Sequence, residues 1–164
     1  GGQGLGRGPP VVHHPDYSLP ALPAGHRFPM AVFSRIHQRL LQRGVVQAAQ
    51  VARPPPLEDA MALLGAVHCP AYLRRFARGQ WEAQEARRIG LPWSPELVRR
   101  TMAEVAGTLH CAELALERGL ALSTAGGTHH AHRAFGSGFC IVNDLAAVAR
   151  HLVGTGRGRR VLVL

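Results

Sequence analysis

The hydrophobic pattern divides the chain into short apolar runs and longer stretches with helical spacing. Val11-Val12-His13 is a strand-like opening that ends at His14-Pro15-Asp16-Tyr17, after which Pro20, Pro23 and Gly25 hold a loop. From Met30 onward, Phe33, Ile36, Leu40 and Leu41 recur at the spacing of one helix face until Gly44 stops the run. A Pro54-Pro55-Pro56 hinge precedes a helix predicted over 57–64, with Glu58 and Asp59 in the first turn, where carboxylates suit the helix dipole. A further short helix opens at Pro70-Ala71-Tyr72-Leu73 and ends near Gly79. The strongest start signal is Ser94-Pro95-Glu96: a serine to cap, a proline in the first turn and an acid after it. That helix is predicted to run to about Glu117, with Val98, Met102, Val105, Leu109, Leu114 and Leu116 inward and Gly119 as its stop. Leu120-Ala121-Leu122-Ser123 reads as a buried strand, 143–152 as a helix and Val161-Leu162-Val163-Leu164 as a terminal strand. Strands alternating with helices imply an α/β fold with a parallel sheet and crossover helices.

In such sheets the ligand crevice lies beyond the carboxyl ends of the strands. The loop leaving the 120–123 strand there is Ala125-Gly126-Gly127-Thr128-His129-His130-Ala131-His132, followed by Gly136-Ser137-Gly138-Phe139-Cys140-Ile141-Val142-Asn143-Asp144. Imidazole exchanges protons near neutral pH, so a histidine pair on a glycine-rich turn points to acid/base hydrolysis. The alternative is one buried, satisfied ring and one surface ring, with His132 solvated. Phe139, between small residues, suits either a narrow wall for an aliphatic stem or an ordinary core position. Adjacent histidines are awkward ligands for one tetrahedral zinc, and no HExxH or helically spaced carboxylate accompanies them, so these residues alone form no complete metal site. Asn143-Asp144 reads as a helix cap.

Composition narrows the class. The 164 residues suffice for one domain, 46% are apolar, mean hydropathy is −0.00, and no apolar run approaches the ~20 residues of a membrane span. The net charge of +9 comes from 19 arginines and no lysine. They are scattered in ones and twos, and aromatics make up only 5%, which argues against a dedicated nucleic-acid platform. The basic balance suits an acidic partner or the carboxylates of a peptide. Cys69, Cys111 and Cys140 are odd in number and widely spaced, which fits free thiols in a reducing cytoplasm. Residues 1–10, rich in glycine and proline and without a secretory pattern, are expected to be a disordered lead-in.

Taken together, GGTHHAHRAFGSGFCIVND (residues 126–144) resembles the histidine-pair and GFC segments of the zinc-dependent histone deacetylase family, which includes acetoin-utilisation and acetylpolyamine-hydrolase relatives. His14-Pro15-Asp16-Tyr17, Gly25-His26-Arg27-Phe28-Pro29-Met30, Val67-His68-Cys69-Pro70-Ala71-Tyr72 and Arg88-Ile89-Gly90-Leu91-Pro92-Trp93 are similar to bacterial, class IV-like members. The resemblance covers residues 11–164 and implies the amino-terminal portion of one three-layer arginase/deacetylase-like α/β domain, truncated after an early strand. It implies hydrolysis of N-acetyl amides such as acetyl-lysine in proteins or a small acetylated amine. His130 would be the general base and acid, and His129 its electrostatic partner. Gly138 and Phe139 would wall the substrate tunnel, and Arg27 would gate acetate release. It implies Zn2+ as cofactor, with ligands from an Asp-x-Asp-x-His segment and a later aspartate, and a late tyrosine for the oxyanion, all expected beyond Leu164. On that expectation the 164 residues alone are inactive, poorly stable at an unpaired sheet edge, and free of stoichiometric zinc. Two other classes stay open at this point: a non-catalytic remnant that binds acetylated chains, and a small basic nucleic-acid-associated protein.

Overall fold

Three two-residue parallel strands set the frame of the computed structural model, which describes residues 8–57 and 59–164. β1 (Val11–Val12) lies between β2 (Val51–Ala52) and β3 (Leu122–Ser123), with Val11 opposite Val51 and Leu122, and Val12 opposite Ala52 and Ser123. Pairing extends past the strands, since the His13 amide donates to the Ala52 carbonyl at 3.0 Å and the Thr124 amide to Val12 at 3.1 Å. Val12 is fully buried in this central position.

Among the described residues, six helices follow the strands or connect them: α1 (Val32–Gln42), α2 (Ala60–Gly65), α3 (Pro70–Arg78), α4 (Ala83–Ile89), α5 (Pro95–Arg118) and α6 (Asp144–Gly154). Single 3-10 turns stand at Pro15–Ser18 and Ala48–Gln50. α5 begins as its sequence signal predicts: the Ser94 hydroxyl accepts from the Leu97 amide, Pro95 opens the first turn, and Gly119 closes the helix at φ 85°. It packs across β1 and β3 and along α6. Gly107 costs α5 roughly 1 kcal/mol relative to alanine but is required by packing, because a β-carbon there would collide with the Tyr17 hydroxyl. The main core gathers Tyr17, Leu64, Tyr72, Phe76, Ile89, Leu97, Val105 and Ile141, each nearly or fully buried.

Several expectations need correction. The helix predicted over 57–64 starts at Ala60, because Asp59 serves as its cap, accepting from the Ala62 amide at 3.0 Å; Glu58 lies outside the described residues. The 120–123 strand is not buried: it is shortened to Leu122–Ser123, and Leu120 and Leu122 stay 57% and 48% exposed because β3 pairs only with β1 among the described residues. Leu116, expected inward, is half-exposed on the far turn of α5. Residues 161–164 form no strand. They have β-branched and aliphatic side chains, but no backbone hydrogen bond reaches them from the described residues, and a strand exists only through its ladder. Of the expected lead-in, 1–7 lie outside the described residues, whereas Pro9 and Pro10 are tied in by Gln50 Nε2 and the Leu122 amide. α4 is an element the apolar pattern did not reveal; its signal is the reciprocal Glu82/Glu85 cap.

Candidate active site

The loop leaving β3 brings the two predicted histidines together. The rings of His129 and His130 sit with centroids 4.1 Å apart at a 44° tilt, and both residues are exposed, so neither is a buried, satisfied core imidazole. Gly138 passes directly beneath His130, since a β-carbon there would meet the ring at 3.4 Å.

The loop is held by the cap of the next helix. Asp144, fully buried at the start of α6, accepts at Oδ1 from the Thr128 amide (2.8 Å) and hydroxyl (2.7 Å), and at Oδ2 from the Thr108 hydroxyl of α5 (2.5 Å). Asn143 caps α6 through the Ala146 amide at 2.9 Å, while its Nδ2 donates to the carbonyls of His129 (3.3 Å) and Ala131 (3.2 Å). The expected cap is therefore also a clamp on the residues around the pair. Charge-assisted bonds of this kind are shorter and stronger than neutral ones. Behind the clamp, buried His68 accepts from the Asn143 amide at Nε2 (2.8 Å). That bond leaves the proton on Nδ1, facing the Arg133 carbonyl at 3.3 Å, and burial keeps the ring neutral by lowering its pKa. Thr108, Thr128, Asn143, Asp144 and His68 are thus the residues sequence reasoning missed as parts of the site. Only the Asn-Asp cap signal marked two of them.

The second glycine loop is a tight turn. Ser137 and Cys140 exchange backbone bonds at 2.9 Å around Gly138 (φ 54°) and Phe139 (φ 65°), two consecutive left-handed residues. A left-handed phenylalanine is strained, and the surroundings enforce it: the Phe139 amide donates to the Ile89 carbonyl at 2.8 Å and Gly138 to Arg88 at 3.3 Å. Gly90 must lack a side chain here, since a β-carbon would stand 2.9 Å from the Phe139 ring. The ring is half-buried, 5.0 Å from Phe28, with the exposed Arg27 guanidinium 5.9 Å above its centroid. Arg27 therefore sits on the outer face of Phe139. Burial raises the Cys140 thiol above its ordinary pKa, which disfavours the thiolate form.

Among the described residues no group of three or more histidine, cysteine, aspartate or glutamate side chains stands where it could hold a metal ion. Asp144, the carboxylate tied to the loop, already has its oxygens taken by Thr108 and Thr128. The residues present do not by themselves fit a zinc site. No described helix is long and apolar enough to cross a membrane.

Parallel strands, crossover helices and twin imidazoles at a strand's carboxyl end define the arginase/deacetylase-like α/β class. Residues 26–164 match the histone deacetylase domain model, and the chain belongs to that family. Over 155 residues it is 50% identical to an uncharacterized protein of Picosynechococcus sp., covering 94% of this chain and 51% of that protein. It is 26% identical over 155 residues to Histone deacetylase 2 of Arabidopsis thaliana, covering 91% of this chain and 40% of that one. Among solved structures it is similar to an HDAC homolog from Aquifex aeolicus (TM-score 0.67, 21% identity, 90% of this chain, 41% of that chain). An HDAC homolog complexed with SAHA gives TM-score 0.67 at 20% identity, covering 90% and 42% respectively. The chain spans about half the length of the curated relatives it matches.

Proposed function

We propose that residues 11–164 are the amino-terminal portion of a single zinc-dependent deacetylase domain that hydrolyses N-acetyl amides, acetyl-lysine in proteins or a small acetylated amine. The observation that carries this reading is the pair of exposed imidazoles 4.1 Å apart at the carboxyl end of β3, within the segment matched to the family. His130 takes a proton from the attacking water and returns it to the leaving amine as the amide C–N bond breaks, giving acetate and free amine. His129 bonds the same water and offsets the charge that His130 gains. Phe139 and the Gly138 backbone form one wall for the acyl-lysine stem, and Arg27 attracts the departing acetate. Zn2+ is the cofactor in this reading, with all its ligands supplied from outside these residues. Three free thiols, two half-buried and one buried, favour a cytoplasmic setting.

The test is acetate release from an acetyl-lysine peptide by the full-length protein. His130→Ala is expected to lower kcat by about 10²- to 10⁴-fold with the fold retained. The 164-residue chain alone is expected to bind no stoichiometric zinc by metal analysis. Binding of the peptide without any release would overturn the enzyme reading in favour of a binding module.

A further inference from the structure

The rim of the histidine loop carries an ordered cationic edge. Arg88, on the last turn of α4, holds its guanidinium carbon 4.5 Å over the Phe135 ring, and His132 stacks on the same ring at 4.4 Å and 22°. The turn that presents Phe135 is closed by the His132 amide donating to the Phe135 carbonyl at 2.9 Å. The Arg88 carbonyl accepts from Gly138, which fixes this arginine beside the Phe139 wall, where Arg27 lies on the ring. Arg27, Arg88, His132 and Arg133 are all exposed. Among the described residues the arginine ion pairs are those of Arg75, Arg99, Arg100 and Arg157, so neither Arg27 nor Arg88 has a carboxylate partner. Glu85, three residues before Arg88, is buried and bonded to Arg75 at 2.6 Å.

A guanidinium laid on an aromatic face loses side-chain freedom before any ligand arrives, and its N–H edge stays open. That edge matches a carboxylate with two parallel bonds. The same stacking works against nucleic acid, because the Phe135 ring that a base would need is already occupied by Arg88 and His132.

We infer that Arg88 forms a carboxylate-binding rim that selects acyl-lysine substrates flanked by aspartate or glutamate. The inference rests on the deacetylase reading for turnover, but not for binding. The test gives the full-length protein three matched, fluorescein-labelled acetyl-lysine peptides with Asp, Ser or Arg at the neighbouring positions. Both Kd, by anisotropy, and kcat/KM are measured. The acidic peptide is expected to be favoured about tenfold over the basic one at about 50 mM salt, from one ion pair gained by the former and one like-charge contact suffered by the latter. The preference shrinks to about twofold near 500 mM salt. Arg88→Gln is expected to reduce the acidic-to-neutral ratio by about threefold, and Arg88→Lys to recover part of it.

Equal treatment of the three peptides overturns the inference. So does a ratio unchanged in Arg88→Gln, or duplex DNA of random sequence displacing the acidic peptide at lower concentration than the peptide itself. If Arg88→Gln does not fold, a preference indifferent to salt in the unaltered protein overturns it equally. Selective binding of the acidic peptide without hydrolysis supports the rim and defeats the deacetylase reading.

Discussion

The strand β3 borders two regions that are built in opposite ways. Beyond its carboxyl end, the loop from Thr124 to Asp144 is tied from several sides. His13 reaches Thr124 at 2.8 Å, Asp144, itself bonded by Thr108, holds Thr128, Asn143 holds the carbonyls of His129 and Ala131, and His68 holds Asn143. Along its outer edge, Leu122 stays half-exposed, and residues 161–164 lie near β3, α5 and α6 with no backbone bond, Leu162 being 80% exposed. A short strand is thus fixed in place by what anchors its end and its inner neighbour. The residues that hold the histidines are internal to this chain, and among the described residues no group of metal-ligating side chains accompanies them.

The largest effect should follow from removing the clamp. Asp144→Ala leaves the Thr108 and Thr128 hydroxyls and the Thr128 amide without their acceptor in a part-buried site. The expected cost is about 4 kcal/mol, read as a lowered urea midpoint. Asp144→Asn keeps one acceptor and should cost clearly less. In the full-length protein both variants should lower kcat more than they raise KM, since the histidine rings lose alignment while the Phe139 wall stands. A loss below about 1 kcal/mol for Asp144→Ala would erase the contrast between the anchored end and the loose edge.

The clamp also marks where sequence reasoning stops. Ser94-Pro95 and Gly119 carried their own local chemistry, so α5 was legible to within a residue of its end, and the His129–His130 pair was legible because glycines and a strand flank it. The 120–123 run gave a strand, though a shorter and more exposed one than expected, whereas the 161–164 run misled, because an apolar run reports side-chain preference and only a neighbour's backbone decides whether a ladder forms. Thr108 and Asp144 are 36 positions apart, and Asn143 and His68 are 75 apart. No local pattern encodes such contacts. Phe139 stood out in the sequence as a candidate, but its left-handed backbone did not: that conformation is imposed by Arg88 and Ile89 from α4, the helix that hydropathy concealed.

A second, smaller effect concerns the inner anchor. His13 is buried, stacked on His37 at 3.9 Å, and bonded to Thr124; burial first, and the neighbouring His37 and His14 after it, lower its pKa to about 4. The unfolded chain holds this imidazole near its ordinary 6.5, so between those values the unfolded state binds more protons. Stability contributed here is complete above pH 6.5 and falls as the pH drops toward 4, by about 3 kcal/mol at the lower end. Urea unfolding at several pH values checks this. His13→Gln, which keeps a polar partner for Thr124 without a titrating ring, should flatten that part of the profile. An unchanged profile would move the acid sensitivity elsewhere.

The smallest effect is expected at the outer edge, and its smallness is informative. In the 164-residue chain, Leu162→Ser removes an aliphatic side chain that is already 80% in water, so little burial is lost. The urea midpoint should shift by less than about 0.5 kcal/mol equivalent. Val12→Ala, by contrast, empties a fully buried position in the central strand of the same sheet and should cost about 2 kcal/mol. If Leu162→Ser cost as much as Val12→Ala, residues 161–164 would have to be packed against β3 in solution. The edge would then be covered, and the site would owe its geometry to both sides of the strand. Equal protection of the Leu162 and Val12 amides in hydrogen exchange would establish the same reversal without any substitution.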